Sequence, residues 1–325
     1  MSHNACTLTK HKKNESGDRT MSLTIQEKRQ GCYWGQCVGD ALGSIVEFKT
    51  KETIAKAYPN GITELIASPV FPTAERGQLT DDSEMAIALM TSMHDSGGNF
   101  IGYDPDRALK NYRDWYDSAP IDCGFTISRG ITGDPNPSSE ANGALMRVSA
   151  LALRSDSVDE TSAVNWARQD SELTHPNPVC VQANQLFVAL IRHMLVHDET
   201  FSGEQLHEAA QHLVSTYQLS SLSELVMQAK HQNVSDFYIN MGWVRLALQN
   251  ALFHLFNDTP WREAVHTTVI QGGDTDTNAA IVGALLGARS GAKEIPERWL
   301  HDVKSARPAR RPDWLHAYTG AQLIS

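Results

Sequence analysis

Glycine recurs at every fourth residue through Gly31-Cys32-Tyr33-Trp34-Gly35-Gln36-Cys37-Val38-Gly39-Asp40-Ala41-Leu42-Gly43, inside a pattern that reads as helical from Thr24 onward. Each interior glycine costs a helix about 1 kcal/mol against alanine. A ridge of four is therefore explained by what it permits, the close approach of another helix. A second ridge, Gly283, Gly287 and Gly291, lies near the other end of the chain, and the two together predict a packed helix pair. Such a pair brings Asp40 and Glu47, at and beyond the end of the first ridge, toward the turn that opens the second helix. Membrane-embedded helix dimers use the same spacing, but Asp40 and the flanking polar residues argue against that setting.

The turn in question is Gln271-Gly272-Gly273-Asp274-Thr275-Asp276-Thr277-Asn278. Two glycines let the backbone turn tightly, and the small-residue run from Ala279 reads as a buried helix, so Asp274 and Asp276 fall at or near a helix start. Acids and threonines there commonly cap free N–H groups and complement the dipole. A cap needs one such residue, however, and two acids between two threonines in one turn call for a cation. An EF-hand would need a sharply turning Gly at its sixth position and a bidentate Glu at its twelfth, where this chain has Ala279 and Leu285. A strand-borne Asp-x-Asp site would need an apolar run before it, which Gln271-Gly272-Gly273 interrupts. Gly77-Gln78-Leu79-Thr80-Asp81-Asp82-Ser83-Glu84, ahead of the apolar stretch Met85 to Met90, repeats the same arrangement. With Glu47 added, the two turns look like the all-oxygen ligand set of a Mg²⁺ or Mn²⁺ pair.

Beyond these turns the text is helix after helix: Val148 to Arg154, Glu160 to Leu173, Val179 to His197, Gly203 to Thr216, Leu222 to Lys230, Gly242 to Phe256, and one more from Thr259-Pro260. Strand-like alternation is scarce, which predicts an all-α protein. Residues 118–143 form a long loop rich in Gly, Pro, Ser and Asp, of the kind that is usually functional or disordered. Asn142-Gly143-Ala144 after it reads as a helix start able to offer N–H groups to a phosphate, or as an ordinary turn. His175 sits on the tight connection Thr174-His175-Pro176-Asn177-Pro178, as a capping or packing residue or as a site residue. Residues 292–325 read as a surface-docked tail.

A formal charge of −10 and a pI near 5.7 argue against a nucleic-acid or membrane-surface partner. Five scattered cysteines fit a reducing compartment, and a polar N-terminus without a membrane-length apolar run leads to the expectation of a cytoplasmic protein. Residues 1–25 read as a flexible polar arm and 26–325 as a single domain.

With these motifs in view, the chain resembles the ADP-ribosylglycohydrolase family, of the dinitrogenase-reductase-activating and ADP-ribosylarginine hydrolase type. The likeness runs over about residues 27–300 through Gly39 to Glu47, Leu79 to Ser83, Asn142 to Arg147, Thr174-His175 and Gly272 to Asn278. It implies an orthogonal helical bundle with a central dimetal cleft. Two Mg²⁺ ions, with Mn²⁺ as the alternative, would be held by Thr80, Asp81, Asp82, Asp274, Asp276 and Thr277. ADP-ribose would be bound by Asp122, Asn142, Gly143, Ala144, His175, Gly272 and Gly273, with Glu47 or Asp82 as the general base. The implied activity is hydrolysis of the arginine N-glycosidic bond of an ADP-ribosylated protein substrate, with serine- or O-linked ADP-ribose as the alternative. The N-terminal extension is similar to the arm of family members that act as immunity proteins and plug an ADP-ribosyltransferase toxin. A non-catalytic toxin-binding role through residues 1–25 is the reading from a different class.

Overall fold

The computed structural model describes residues 22–308 and 315–324 of the chain. The arm expected over residues 1–25, and any partner contact through it, therefore lies outside the described residues up to residue 21. The described residues contain no β-strand, only three isolated bridges, and fold as fifteen α-helices with three short 3₁₀ turns. The protein is all-α.

Helix α1 (Ile25–Gly43) starts where a capping box forms. Thr24 accepts from the Glu27 N–H at 3.2 Å, and the Glu27 carboxylate accepts from the Thr24 N–H at 2.9 Å. After α2 (Lys51–Ala57), α3 (Asp81–Ser92) begins inside the acidic motif, and α4 (Pro105–Asp117) opens on an Asp104 cap with proline in its first turn. The Gly-rich stretch 118–143 is not wholly irregular, because α5 (Phe125–Ile131) forms within it. Conversely, residues 142–148 make a chain of turns, and only the short α6 (Ser149–Ala152) follows. Then come α7 (Glu160–Thr174), α8 (Pro178–Val196), α9 (Gly203–Thr216), α10 (Ser223–Ala229), α11 (Val244–Phe256) and α12 (Trp261–Val269). The chain closes with α13 (Thr275–Ser290), α14 (Glu297–Ser305) and α15 (Ala317–Gln322).

The pair α1 and α13 forms the spine. A Cβ on Gly31 would overlap the Gly287 carbonyl, one on Gly35 the Gly283 carbonyl, one on Gly39 the Ala279 carbonyl and one on Gly43 the Thr275 carbonyl. Numbers fall on one helix as they rise on the other, so the pair is antiparallel. The end of α1 therefore lies against the start of α13, where the Thr275 hydroxyl donates to the Gly43 carbonyl at 2.7 Å. The Trp261 indole N–H reaches the Gly283 carbonyl at 3.0 Å, fixing α12 against the same seam.

Helix α8 has the length and apolarity of a membrane span, with mean hydropathy 1.4, yet 67% of that window is buried inside the fold. Its apolar surface, including the buried Phe187, is used by the core, where it packs against α7, α9, α11 and α13. The C-terminal segment is more than a surface-docked tail. Trp299, Val303, Leu315 and Ile324 are all buried, so it closes one side of the core.

Candidate functional site

The start of α3 has no cap of its own, since Thr80 makes no capping hydrogen bond. Asp40 supplies one from α1. Its Oδ1 accepts from the Thr80 N–H at 3.1 Å and the Thr80 hydroxyl at 2.8 Å, and its Oδ2 accepts from the Ser83 N–H at 3.1 Å. A carboxylate satisfying the free N–H groups of a neighbouring helix fixes that helix end in space. Asp81 and Asp82 are thereby aimed at the start of α13. The backbone completes the arrangement from the other side: the Phe48 N–H donates to the Gly273 carbonyl at 2.8 Å and the Gly273 N–H to the Lys49 carbonyl at 2.9 Å. Gly272 and Gly273 both adopt positive φ, +81° and +77°, and a side chain on either would collide with the Lys49 or Phe237 carbonyl. This tie sets Glu47 beside the turn.

Glu47, Asp274 and Asp276 each offer a carboxylate oxygen within 4.8 Å of the other two. Glu47 and Asp274, with Asp276 behind them, form one wall of a cleft of about 280 Å³ whose other described lining residues include Asp81, Asp122, Asn142, Gly143, His175, Thr277 and the apolar Phe48, Phe125 and Met241. No Lys or Arg stands among these described lining residues. Burial, then Asp274 and Asp122, push the Glu47 carboxyl up to about 9. Asp81, Asp82 and Asp276 are raised well above the carboxylate range by burial and then by a neighbouring carboxylate, Asp122 for Asp81, Asp81 for Asp82 and Glu47 for Asp276. Glu47 Oε2 and Asp82 Oδ1 are buried without a hydrogen-bond partner. So much buried negative charge, with open lone pairs and no basic side chain beside it, is the environment that an oxygen-seeking divalent cation satisfies.

The facing wall is tied to this cluster across long stretches of chain. The Asn142 amide donates to Asp274 Oδ2 at 2.6 Å, and the Asn142 N–H to the Gly242 carbonyl at 3.0 Å. Behind it Arg147, fully buried, donates to Asp170 Oδ2 at 3.0 Å, to the Gly143 carbonyl at 3.2 Å and to the Thr174 hydroxyl at 2.9 Å. The Thr174 hydroxyl lies 2.8 Å from His175 Nδ1. We assign that hydroxyl as the donor to Nδ1, the tautomer that puts the ring proton on Nε2, where it faces the cleft. Nε2 is buried and has no protein partner, and burial with the nearby Arg147 charge pushes the imidazole pKa down to about 3. His175 is thus a neutral donor lining the cleft.

Residues 21–324 match the ADP-ribosylglycohydrolase family. The chain belongs to that family. An ADP-ribosyl-[dinitrogen reductase] glycohydrolase of Rhodospirillum rubrum is 30% identical, the match covering 89% of this chain and 95% of that protein. The ADP-ribosylarginine hydrolase Tri1 of Pseudomonas putida is 24% identical over 88% of this chain and 77% of its own. The human ADP-ribosylhydrolase ARH3 is 25% identical over 83% and 87%. Among solved structures, an ADP-ribosylglycohydrolase-related protein complex superposes with a TM-score of 0.71 at 25% identity, covering 92% of this chain and 97% of that one. As an ADP-ribosylglycohydrolase, the protein is a hydrolase acting on ADP-ribosylated substrates.

Within this ADP-ribosylglycohydrolase cleft the residues singled out in sequence take two depths. Glu47, Asp81, Asp122, Asn142, Gly143, His175, Asp274 and Thr277 line the open space. Thr80, Asp82, Ala144, Gly272, Gly273 and Asp276 stand behind it, where Gly272 and Gly273 serve the backbone tie and Thr80 bridges Asp40 and Asp82. Asp40, Arg147 and Asp170 organise the site without facing it. Asp40 and Arg147 fall inside motifs that carry the family resemblance, and Asp40 also ends the glycine ridge, but neither was given a role; for Asp170 there was no sequence signal.

Proposed function

We propose that the protein hydrolyses the N-glycosidic bond between ADP-ribose and an arginine side chain of a modified protein, at a site holding two Mg²⁺ ions. The observation that carries this reading is the buried carboxylate trio Glu47, Asp274 and Asp276, faced by Asp81 and Asp82, with no basic side chain among the described residues lining the cleft. The donors are carboxylate and hydroxyl oxygens throughout, which suits Mg²⁺, or Mn²⁺, rather than zinc or copper. Thr80, Asp81, Asp82, Asp274, Asp276 and Thr277 are the residues that would hold the ions. A bound pair of this kind orients ribose hydroxyls and lowers the pKa of water.

The chain's own groups account for binding and proton movement. Asn142, Gly143 and the Nε2 proton of His175 present hydrogen-bonding groups to the ADP-ribose, with Asp122 at the mouth of the cleft. In the reaction the bond from the anomeric carbon to nitrogen breaks, and a water oxygen bonds to that carbon. Glu47 lines the cleft with an unpartnered oxygen, so it is the carboxylate we assign to accept the water's proton, in the ionised form that cations bound beside it would favour over the protonated one. The substrate's guanidinium takes the C–N bonding pair and leaves as neutral guanidine, which then picks up the proton that Glu47 took from the water and becomes guanidinium. A cationic acceptor side chain fits an acidic cleft, and two relatives are named for ADP-ribosylarginine or dinitrogen reductase.

The test offers arginine-linked and serine-linked ADP-ribosylated proteins to the purified protein, with Mg²⁺ and with EDTA. Release from the arginine-linked substrate alone is expected. It should disappear with EDTA and fall by at least about 100-fold in Asp276→Ala, which loses one of the shared carboxylates. Release that ignores EDTA, or that occurs only from the serine-linked protein, overturns the proposal.

A further inference from the structure

Single exposed apolar side chains are ordinary, but a cluster of them marks a contact surface. Among the described residues eleven large hydrophobic side chains are exposed, and five of these border one place. Phe48, Phe125 and Met241 rim the cleft, while Tyr238 and Ile239 line a recess of about 270 Å³ beside it. Ile239 is 77% exposed.

The segment that carries three of the five is held in that pose. Asp236 Oδ1 accepts from the N–H groups of Tyr238 at 3.0 Å and Ile239 at 2.9 Å, forming a turn that points the next residues outward. Phe237 between them is buried, and its carbonyl abuts Gly273. At the other end Gly242, at φ +78°, accepts from the Asn142 N–H. Both ends of the segment are thus anchored on residues of the cleft itself. The backbone tie between residues 48–50 and Gly272-Gly273 and the segment 237–242 run between the recess and the cleft. The recess also carries the carboxylates of Glu52 and Asp236, while its one Lys, Lys51, is engaged with the Gln271 side chain at 2.9 Å.

We infer that the recess and its apolar rim, centred on Tyr238 and Ile239, form an exosite for the polypeptide that carries the ADP-ribosyl group. The exosite takes an apolar side chain of the substrate protein accompanied by a basic one, the latter matched to Glu52 and Asp236. This rests on the hydrolase reading above and adds to it the part of the substrate that the enzyme recognises. An ADP-ribosylated small guanidine fills the cleft and leaves the exosite empty, whereas a modified protein engages both.

The test compares wild type with Tyr238→Ser/Ile239→Ser and with Glu52→Lys on two substrates, an arginine-linked ADP-ribosylated protein and ADP-ribosyl-agmatine. Both positions of the double variant are on the surface, and thermal melts check that each variant is folded. For the protein substrate KM is expected to rise about tenfold with kcat nearly unchanged, which corresponds to about 1.4 kcal/mol of lost contact. For ADP-ribosyl-agmatine neither constant should move. Unchanged KM on the protein, or equal losses on both substrates, overturns the exosite and leaves the hydrolase standing. Wild type inert on both substrates removes the arginine-linkage reading and this inference together. Sedimentation showing a dimer that the double variant dissociates assigns the surface to a second copy of the chain and overturns it as well.

Discussion

At the scale of single residues, the fold keeps several polar groups in the dry interior, and they fall into two kinds. Asp40 is fully buried, but its two oxygens meet three donors from the start of α3, so its burial is compensated. Burial still pushes its carboxyl up to about 6. His254 on α11 is the opposite case. It is 3% exposed, neither ring nitrogen has a partner, and burial pushes its pKa down to about 4. An unfolded imidazole titrates near 6.5. Between those two values the unfolded chain binds a proton that the folded chain refuses, so stability rises with pH in this window and is lost as pH falls through it. At pH 5 the loss from this one group amounts to about 2 kcal/mol, against a few tenths at pH 7. His254→Leu removes the titration and keeps an apolar side chain in the space. Urea titrations at pH 7 and pH 5 should show the variant losing less stability on acidification than wild type, by about 2 kcal/mol. Equal losses in the two proteins would show that His254 takes up a proton within the fold.

At the scale of elements, the α1 and α13 seam decides where the chemistry can be. Gly35→Ala sets two effects against each other. Alanine favours the helix by about 1 kcal/mol, while its Cβ would overlap the Gly283 carbonyl and crowd the Trp261 indole nitrogen. A backbone carbonyl cannot rotate away as a side chain can, so the overpacking cost dominates, and a net loss of about 2 kcal/mol or more is expected from chemical denaturation. A variant as stable as wild type would mean that the helices can separate without penalty. This seam was readable in the sequence because close backbone contact excludes side chains, and that exclusion leaves a periodic mark. The acidic helix starts were readable for a similar reason, since each is a local cluster. The ties between distant segments leave no such mark. Asn142 meets Asp274, 132 residues further along the chain, and Asp40 caps a helix that begins 41 residues later. Neither partner looks unusual beside its own neighbours. Helix α5 was hidden in a Gly- and Pro-rich stretch because seven residues without a side-chain cap are too few to show a period. The buried end of the chain was missed because the basic and proline-rich residues 304–312, between Trp299 and Ile324, read as surface.

At the scale of the whole molecule, the carboxylate cluster links stability to the ion it is proposed to hold. Folding brings Glu47, Asp274 and Asp276 together and buries Asp81 and Asp82 beside them. Acids whose folded pKa lies above the unfolded one oppose folding at neutral pH, and the opposition fades as pH falls toward the unfolded value. Without cations the cluster is therefore a cost carried by the packed core around it. Removing one charge while keeping the shape, as in Asp276→Asn, should leave the EDTA-treated protein at least as stable as EDTA-treated wild type. Mg²⁺ reverses the comparison, because an ion that binds only the native state at 100 times its dissociation constant adds about 2.7 kcal/mol. Differential scanning calorimetry with EDTA and with millimolar Mg²⁺ should therefore show wild type gaining several degrees in Tm and Asp276→Asn gaining little. Wild type that melts identically in both buffers would count against a native-state metal site. An EDTA-treated Asp276→Asn that melts well below wild type would instead give the carboxylate a structural role, through the bond from the Thr277 N–H at 3.0 Å and its contact with the Glu47 carboxyl. The two arms separate a site kept for its ion from a cluster kept for the fold, since only the first predicts that the variant is the more stable protein in one buffer and the less stable in the other.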